Sequence, residues 1–338
     1  MTIYLIRGSH ANEYELQNYY PLTDKLDIHL ITTHSSLTPT NLPTIKLWSP
    51  ADLPRFPYRR QILNRLIGGE QWLLGLEQLI SRYHVSKHSN KSNIMLHTAE
   101  TYTPYTHQAV QLRKKGLIKK LICTCWETIP HNNEKFARLR RWKQEAYRYV
   151  DLFHTPTQRA ANALIKEGVD QNKIKVIPYG VDTKIFCPPR QKRKNKIPII
   201  LTVARRVPEK GLDIWEQVRE AVGDKAEFRW VSNLPYRDMP AVYQSADLFF
   251  FPSLTTPTWE EQYGMALVEA MACGLPIVAS NTGAIPEVVG SQGLLFDPHS
   301  VADAVKKLDF QLSHPISPQL PIKYIVKNVS NKLLSLYR

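Results

Sequence analysis

The chain has 338 residues, 43% of them hydrophobic, which is long enough for two packed domains and too apolar for disorder, while a net charge of +14 predicts an anionic partner without naming it. Cys123, Cys125, Cys187 and Cys273 lack paired metal-ligand spacing, so they read as reduced cysteines and a zinc module is disfavoured. No apolar run approaches membrane-spanning length and the N-terminal MTIYLIRG enters a strand pattern directly, so the expected location is cytoplasmic or peripheral on the cytosolic face of a membrane.

In chain order, IYLI, a helical stretch from Glu13 to Tyr20, DIHLITT and IKLW alternate as βαβ units do, which predicts an α/β fold with a parallel, doubly wound sheet. The first turn carries Gly8, Ser9 and His10, and a histidine there either reaches a reaction centre or stays solvated. From 54 to 80 the chain is basic and amphipathic, with Arg55, Arg59, Arg60 and Arg65 beside Ile62, Leu63, Leu66 and Ile67, and with Gly68 and Gly69 interrupting the helix. Such a segment packs its apolar face on the sheet, the ordinary arrangement, or lies among anionic lipid headgroups with Trp72 and the leucines beneath.

NIMLHTAETYT reads as a buried strand whose polar end falls where open α/β sheets bind ligands. His97 and Glu100 are therefore candidates for chemistry, or for capping at the strand end. Two basic clusters follow: Arg113, Lys114, Lys115, Lys119 and Lys120, then Arg138, Arg140, Arg141 and Lys143. They read as a solvated face, the ordinary case, and also suit an anionic lipid surface. No recognition motif accompanies the charge, so nucleic acid is not an expected partner.

KIKVIPYGVD marks a domain boundary near Gly180, and after the polar linker PPRQKRKNK the strand IPIILTVA runs directly into Arg205, Arg206, Val207, Pro208, Glu209, Lys210 and Gly211. A forked guanidinium and an ammonium in one loop can neutralise a departing diphosphate. Further on, between Gly264 and Gly274, lies a short helix that is apolar all round except for Glu269. A carboxylate buried there needs donors, which ligand hydroxyls or protein groups can supply. Gly264 leaves the backbone N–H groups of Gly264, Met265, Ala266 and Leu267 open to a phosphate, and Glu261 stands just before.

The run E-Q-Y-G-M-A-L-V-E, followed by A-M-A-C-G-L-P-I-V-A-S, resembles the signature of retaining family-4 glycosyltransferases, and the loop from Arg205 to Gly211 is a second match. The resemblance implies a GT-B fold: two facing Rossmann-like domains with parallel sheets, at 1–180 on the acceptor side and 181–312 on the nucleotide-sugar side, and a terminal helix in 313–338 crossing back to the first. It implies that Glu269 binds the donor ribose, that Arg205 and Lys210 bind the diphosphate, and that Glu261 with the Gly264–Leu267 amides binds the transferred sugar and nearby phosphate. Gly8 stands where the family commonly has paired glycines facing the donor. Ala99 stands where many members have a histidine, which moves the acceptor-side expectation to Glu100 first, with His97 and His10 behind it. The stretch between GLDIWEQVREAV and MPAVYQSADLFFFPS is short for the family, and this region normally helps hold the base.

The implied activity is transfer of a sugar, with retention, from a UDP- or GDP-type donor to an acceptor hydroxyl, the acceptor being a saccharide or, as the net charge of +14 and the basic amphipathic segments suggest, lipid-linked or otherwise membrane-associated. No Asp-X-Asp motif is present, so no metal is expected. The alternatives are a GT-B nucleotide-sugar epimerase and an inactive relative that binds membrane or nucleic acid.

Overall fold

A computed structural model describes residues 1–54, 56–86, 93–191 and 195–338. Arg55 of the basic segment and residues 192–194 of the expected linker lie outside these described residues. Two compact units divide the chain: Met1–Pro156, Ala160–Ile177 and Ser330–Arg338 form the first, and Thr157–Arg159 with Pro178–Val329 form the second. The division at Ile177/Pro178 falls three residues before the expected 180, and 313–329 group with the second unit.

In the first unit the strands are β1 (Thr2–Gly8), β2 (Asp27–Thr33), β3 (Thr44–Leu47), β4 (Ile94–Ala99), β5 (Lys120–Thr124), β6 (Leu152–Thr155) and β7 (Ile174–Val176), and they pair in parallel in the order β3-β2-β1-β4-β5-β6-β7. The helices are α1 (Glu13–Leu16), α2 (Arg59–Ile67), α3 (Leu76–Ser86), α4 (Pro104–Lys114), α5 (Ala137–Tyr149) and, from Ala160 on, α6 (Gln158–Lys166), whose first two residues group with the second unit. β1 and β4 are buried along their whole length, as expected of parallel strands covered on both faces. Their shared edge is where the strand order reverses, so the loops leaving β1 and β4 open on a switch point.

The second unit contains β8 (Ile199–Val203), α7 (Leu212–Val222), β9 (Glu227–Val231), α8 (Met239–Gln244), β10 (Leu248–Phe251), α9 (Met265–Ala272), β11 (Ile277–Ser280), α10 (Ile285–Val289), β12 (Leu294–Phe296) and α11 (Val301–Ser313). Its parallel sheet runs β12-β11-β10-β8-β9, with the switch point between β8 and β10. The last α-helix, α12 (Val326–Leu333), is followed by a 3-10 turn at Leu334–Tyr337, with the residues from Ser330 onward grouped in the first unit. There Ser330 Oγ donates to the Asn18 carbonyl at 2.7 Å.

Two expectations are corrected in the first unit. The helix expected from Glu13 to Tyr20 is cut short: α1 stops at Leu16 and a 3-10 turn takes Tyr20–Leu22. Pro21 accounts for the break in the α-helical ladder, because it lacks the N–H that would bond to the Gln17 carbonyl. Secondly, α2 does not pack an apolar face on the sheet, since none of its residues is buried and Ile62 and Leu66 are 42% and 64% exposed. Gly68 closes α2 in a left-handed conformation, φ 83°, and its missing Cβ makes room for the Trp142 ring. Trp72 belongs to this interior rather than to a lipid face, packing edge-on against Trp142 at 5.6 Å and donating its Nε1–H to the Ile67 carbonyl at 3.0 Å.

Candidate active site

In the second unit, the end of β8 turns through Arg205 and Lys210 to Gly211 and so comes against the end of β10. Gly211 is left-handed, φ 77°, and a Cβ there would lie 1.8 Å from the Pro252 carbonyl oxygen. Only glycine permits this approach. Gly211→Ala should therefore destabilise the fold by about 3 kcal/mol, combining backbone strain with displacement of Pro252, and urea unfolding measures it.

The approach sets the ammonium of Lys210 beside two side chains from the β10 exit. Lys210 Nζ donates to Glu261 Oε2 at 2.6 Å, and Ser253 Oγ donates to the same oxygen at 3.2 Å. Trp259 lies under the ammonium, 4.7 Å from its ring centre, an attractive placement for a cation. Glu261 is itself buried, and its carbonyl accepts the Ala284 N–H at 2.8 Å. Gly283 fits against that peptide so closely that a Cβ would stand 2.6 Å from the Glu261 carbonyl oxygen. The loop carrying Glu261 is thus gripped by its own backbone, which holds its carboxylate toward Lys210.

Gly264, at φ 79°, begins α9 with no side-chain cap, and its missing Cβ would stand 3.6 Å from Glu261 Cγ. The opening of α9 therefore lies beside Glu261. Met265 and Ala266 are partly exposed at this N-terminus, and Leu267 is buried. Its amides and dipole favour an anion. One turn further, Glu269 is 5% exposed and is held by protein donors, with Tyr243 Oη donating to Oε2 at 2.6 Å and the Tyr236 hydroxyl also bonding to it. Burial pushes the Glu269 carboxyl up to about 7 despite these hydrogen bonds. Arg205 is exposed and makes no ion pair among the described residues, so its guanidinium is available to a ligand.

The sequence reading missed Ser253, Tyr236 and Tyr243. Ser253 was findable as the polar residue closing the apolar run LFFFPS at a strand end. The two tyrosines precede Glu269 by a whole strand and loop, and no local pattern links them to it.

At the switch point of the first unit the outcome is mixed. Gly8 is left-handed, φ 55°, but the space of its missing Cβ is taken by Gln71, whose Oε1 would be 2.2 Å away. Gln71 Oε1 accepts the Ser9 N–H at 3.0 Å and its Nε2 donates to Ser9 Oγ at 2.5 Å, so this glycine serves loop packing. His10 is exposed, and its pKa is drawn below the ordinary value first by partial desolvation and then by the Arg60 charge. His97 is not open to a ligand. It is fully buried, with Nδ1 bonded to the Tyr337 hydroxyl and Nε2 to Thr124 Oγ1, both at 2.7 Å. Burial first, then Arg7 and His154, lower its pKa well below the ordinary value, so it is a neutral core histidine.

Glu100 stands at the carboxyl end of β4 with φ 61°, a strained value for a non-glycine residue. Its carboxylate accepts the Trp126 N–H at 2.8 Å and lines a space of about 10 Å³, room for one water, together with Glu127, Lys143 and Glu167. Burial pushes Glu100 up to about 8. The carboxyl is thus neutral below that pH when folded and only below about 4.5 when unfolded. Its contribution to stability is full below the lower value and is lost as pH rises through the upper one. Glu100→Gln should remove that decline, so that parent and variant have the same urea midpoint near pH 4 and the variant the higher one above about pH 8.

Behind Glu100, His131, Glu134 and Glu167 form the metal-like group found among the described residues. Lys143 already acts as their cation, with Nζ 3.0 Å from Glu134 and 2.7 Å from Glu167.

Comparison with known proteins supplies the family. The profile described as Glycosyltransferase Family 4 matches residues 23–185, and the one described as Glycosyl transferases group 1 matches residues 215–327. The sulfoquinovosyl transferase SQD2 of Arabidopsis thaliana is 29% identical over 198 residues, covering 48% of this chain and 38% of that protein. The O-antigen chain mannosyltransferase B of Escherichia coli is 36% identical over 112 residues, covering 33% of this chain and 27% of that protein. The chain thus matches well under half the length of these two relatives. Among solved structures, sucrose-phosphate synthase from Thermosynechococcus elongatus superposes with a TM-score of 0.70 at 15% identity, covering 100% of this chain and 98% of that one. Anabaena Alr3699/HepE in complex with UDP-glucose gives 0.70 at 15% identity, covering 100% and 99%. These likenesses establish the GT-B fold.

Proposed function

The chain belongs to the family-4, group-1 glycosyltransferases, and from that premise we propose that it transfers a sugar from a nucleoside diphosphate to an acceptor hydroxyl with retention at the anomeric carbon. The observation that carries the proposal is the convergence of Lys210, Ser253 and Glu261 beside the uncapped start of α9 at the switch point of the second sheet. Arg205, Lys210 and the amides from Gly264 to Leu267 take the diphosphate, Glu269 the ribose, and Glu261 the transferred sugar. The bond from the anomeric carbon to phosphate breaks as the acceptor oxygen bonds from the same face, and the acceptor proton passes to the departing phosphate oxygen. The chain's part is to hold both partners and to stabilise the charge left on the diphosphate. No divalent metal is required in this scheme.

The test is thermal unfolding with UDP, GDP, ADP and their sugars in chelator, followed by assay of nucleotide release with and without saccharide and lipid-linked acceptors. A ligand bound only by the folded state raises the melting temperature, so a selective shift identifies the base. Donor consumption with no sugar transferred to any acceptor would favour the epimerase reading, and no shift with any nucleotide would remove the donor site.

A second observation favours a lipid-linked acceptor and a peripheral position on the cytosolic face of a membrane. α2 buries none of its residues, exposes Ile62 and Leu66 one turn apart, and has Arg60 and Arg65 exposed on the same helix. Arg138 of α5 joins it, donating to the Leu66 carbonyl at 2.8 Å. Arginines around an exposed apolar stripe suit an anionic headgroup layer. The protein should therefore sediment with phosphatidylglycerol vesicles at low salt, and Ile62→Ser/Leu66→Ser should reduce the bound fraction at least tenfold, given the apolar area withdrawn from the bilayer. Equal sedimentation of the double variant would remove α2 from the contact.

A further inference from the structure

The residue immediately before Glu261 has a partner of its own. Glu260 is 3% exposed, and its two carboxylate oxygens accept from Arg159 Nε and Nη2 at 2.5 and 2.6 Å. Arg159 comes from the start of α6, and Thr157–Arg159 group with the second unit, as Glu260 does. A second carboxylate grips the same short segment through its backbone: Glu287 Oε1 accepts the Gln158 N–H at 2.6 Å and Oε2 accepts the Arg159 N–H at 3.1 Å. Glu287 belongs to α10, and that helix is preceded by the turn in which Gly283 and Ala284 hold the Glu261 peptide.

The Glu261 loop is therefore fixed from two directions. From behind, the turn before α10 holds its backbone. From the side, Arg159 holds the neighbouring carboxylate in a two-point pair whose geometry leaves little freedom of rotation. Glu260 and Glu261 are consecutive, so a displacement of one is passed to the other within a single peptide. A buried carboxylate that loses the cation paired with it must move toward water or take up a proton, and either change would shift the loop. Among the described residues Arg159 pairs with Glu260, while Lys210 pairs with Glu261 and Glu269 with Tyr243, so Arg159 has no direct route to nucleotide binding.

We propose that Arg159 is a positioning residue for the Glu261 loop, its forked pair with Glu260 setting where the Glu261 carboxylate stands against the transferred sugar. The proposal rests on the donor-site reading for its catalytic consequence and on geometry alone for its structural one. The experiment has two arms that separate these. In the first, hydrogen exchange is followed in the ligand-free protein for amides from Glu260 to Leu267, in the parent, Arg159→Met and the near-isosteric Glu260→Gln. Both variants should exchange faster there with the rest of the second unit unchanged. Unchanged exchange in that segment overturns the proposal, whatever the protein binds.

In the second arm, release of nucleoside diphosphate from UDP-glucose or GDP-mannose, whichever the parent consumes, is measured beside the affinity for the free diphosphate. Arg159→Met and Glu260→Gln should each lower kcat about tenfold, as expected for a small misplacement of a reacting group, with diphosphate affinity within about twofold of the parent. Arg159→Lys should fall between the parent and Arg159→Met, since it restores the charge without the fork. The double variant should be no slower than either single one, because the two residues act as one unit. Equal kcat in parent and Arg159→Met, or an equal loss of diphosphate affinity and kcat, overturns the positioning role. A parent that binds neither UDP nor GDP overturns the donor reading instead, and the exchange arm still decides the loop. Should Arg159→Met fail to fold, Glu260→Gln carries both arms.

Discussion

Lys210→Ala should fold, bind a nucleoside more weakly by a modest factor, and turn over donor about 10²–10³ times more slowly, the loss typical of removing one fixed stabiliser of developing negative charge. The size follows from where the ammonium is held. Lys210 is partly exposed, with its Nζ 2.6 Å from Glu261 and 4.7 Å from the Trp259 ring centre, and the loop that carries it is brought to the end of β10 by Gly211. In that position Glu261 and the indole fix the direction of the cation before a donor arrives, so little rearrangement is needed as charge builds on the leaving diphosphate. Arg205 is exposed and unpaired among the described residues. It should behave differently, with Arg205→Ala weakening diphosphate binding and turnover together, because its guanidinium is free to meet the ground-state charge as well. Steady-state kcat and KM for nucleotide release distinguish the two. Lys210→Ala with kcat within a few-fold of the parent would remove leaving-group stabilisation from this residue and pass it to Arg205 and the start of α9.

The parts of this site that were legible in the sequence are those whose partners are neighbours in the chain. Glu261, Gly264 and Glu269 share one loop and helix, and Arg205, Lys210 and Gly211 share one strand exit, so the local pattern and its resemblance to the family signature drew attention to them together. The sheets were legible for a related reason, because β1 and β4 are continuous apolar runs and parallel strands buried on both faces read that way. The surroundings of His97 were not legible, because a histidine near a strand end has the same sequence pattern whether it points to a ligand or to the core. Its decisive partners, Thr124 and Tyr337, lie 27 and 240 residues away. The surroundings of Gly8 were hidden for the same reason, its open side being filled by Gln71, 62 residues on from the Ser9 it binds. α2 differs in the opposite sense: its amphipathic pattern was read correctly, but pattern does not say whether a helix's apolar stripe is covered, and no residue of this helix is buried.

Glu269→Ala should abolish measurable donor binding while leaving any acceptor binding intact, and Glu269→Gln should separate the role of charge from that of shape. Tyr243 and Tyr236 both bond to Glu269, so the carboxyl is aimed before any ligand arrives, and deletion would leave two buried hydroxyls without an acceptor as well as the ribose without one. The tyrosines' loss falls on fold stability, whereas two ribose hydroxyls left without an acceptor cost about 1–3 kcal/mol each, a loss of roughly 30-fold or more in affinity. Charge enters through pH. Burial holds the free carboxyl at about 7, so near neutrality a large part of the ligand-free protein carries a proton there. Ribose hydroxyls donate to a carboxylate and so favour its ionised form, which means that donor binding must expel that proton. Affinity for the nucleoside diphosphate should accordingly rise as pH increases through about 7 and level off above it. Titration calorimetry at pH 6.5 in buffers of different ionisation enthalpy should detect the released proton in the parent and none from this position in Glu269→Gln. An affinity independent of pH between 6 and 8 in the parent, with the same value in Glu269→Gln, would move the ribose away from this helix and leave Glu269 as a structural acceptor for its two tyrosines.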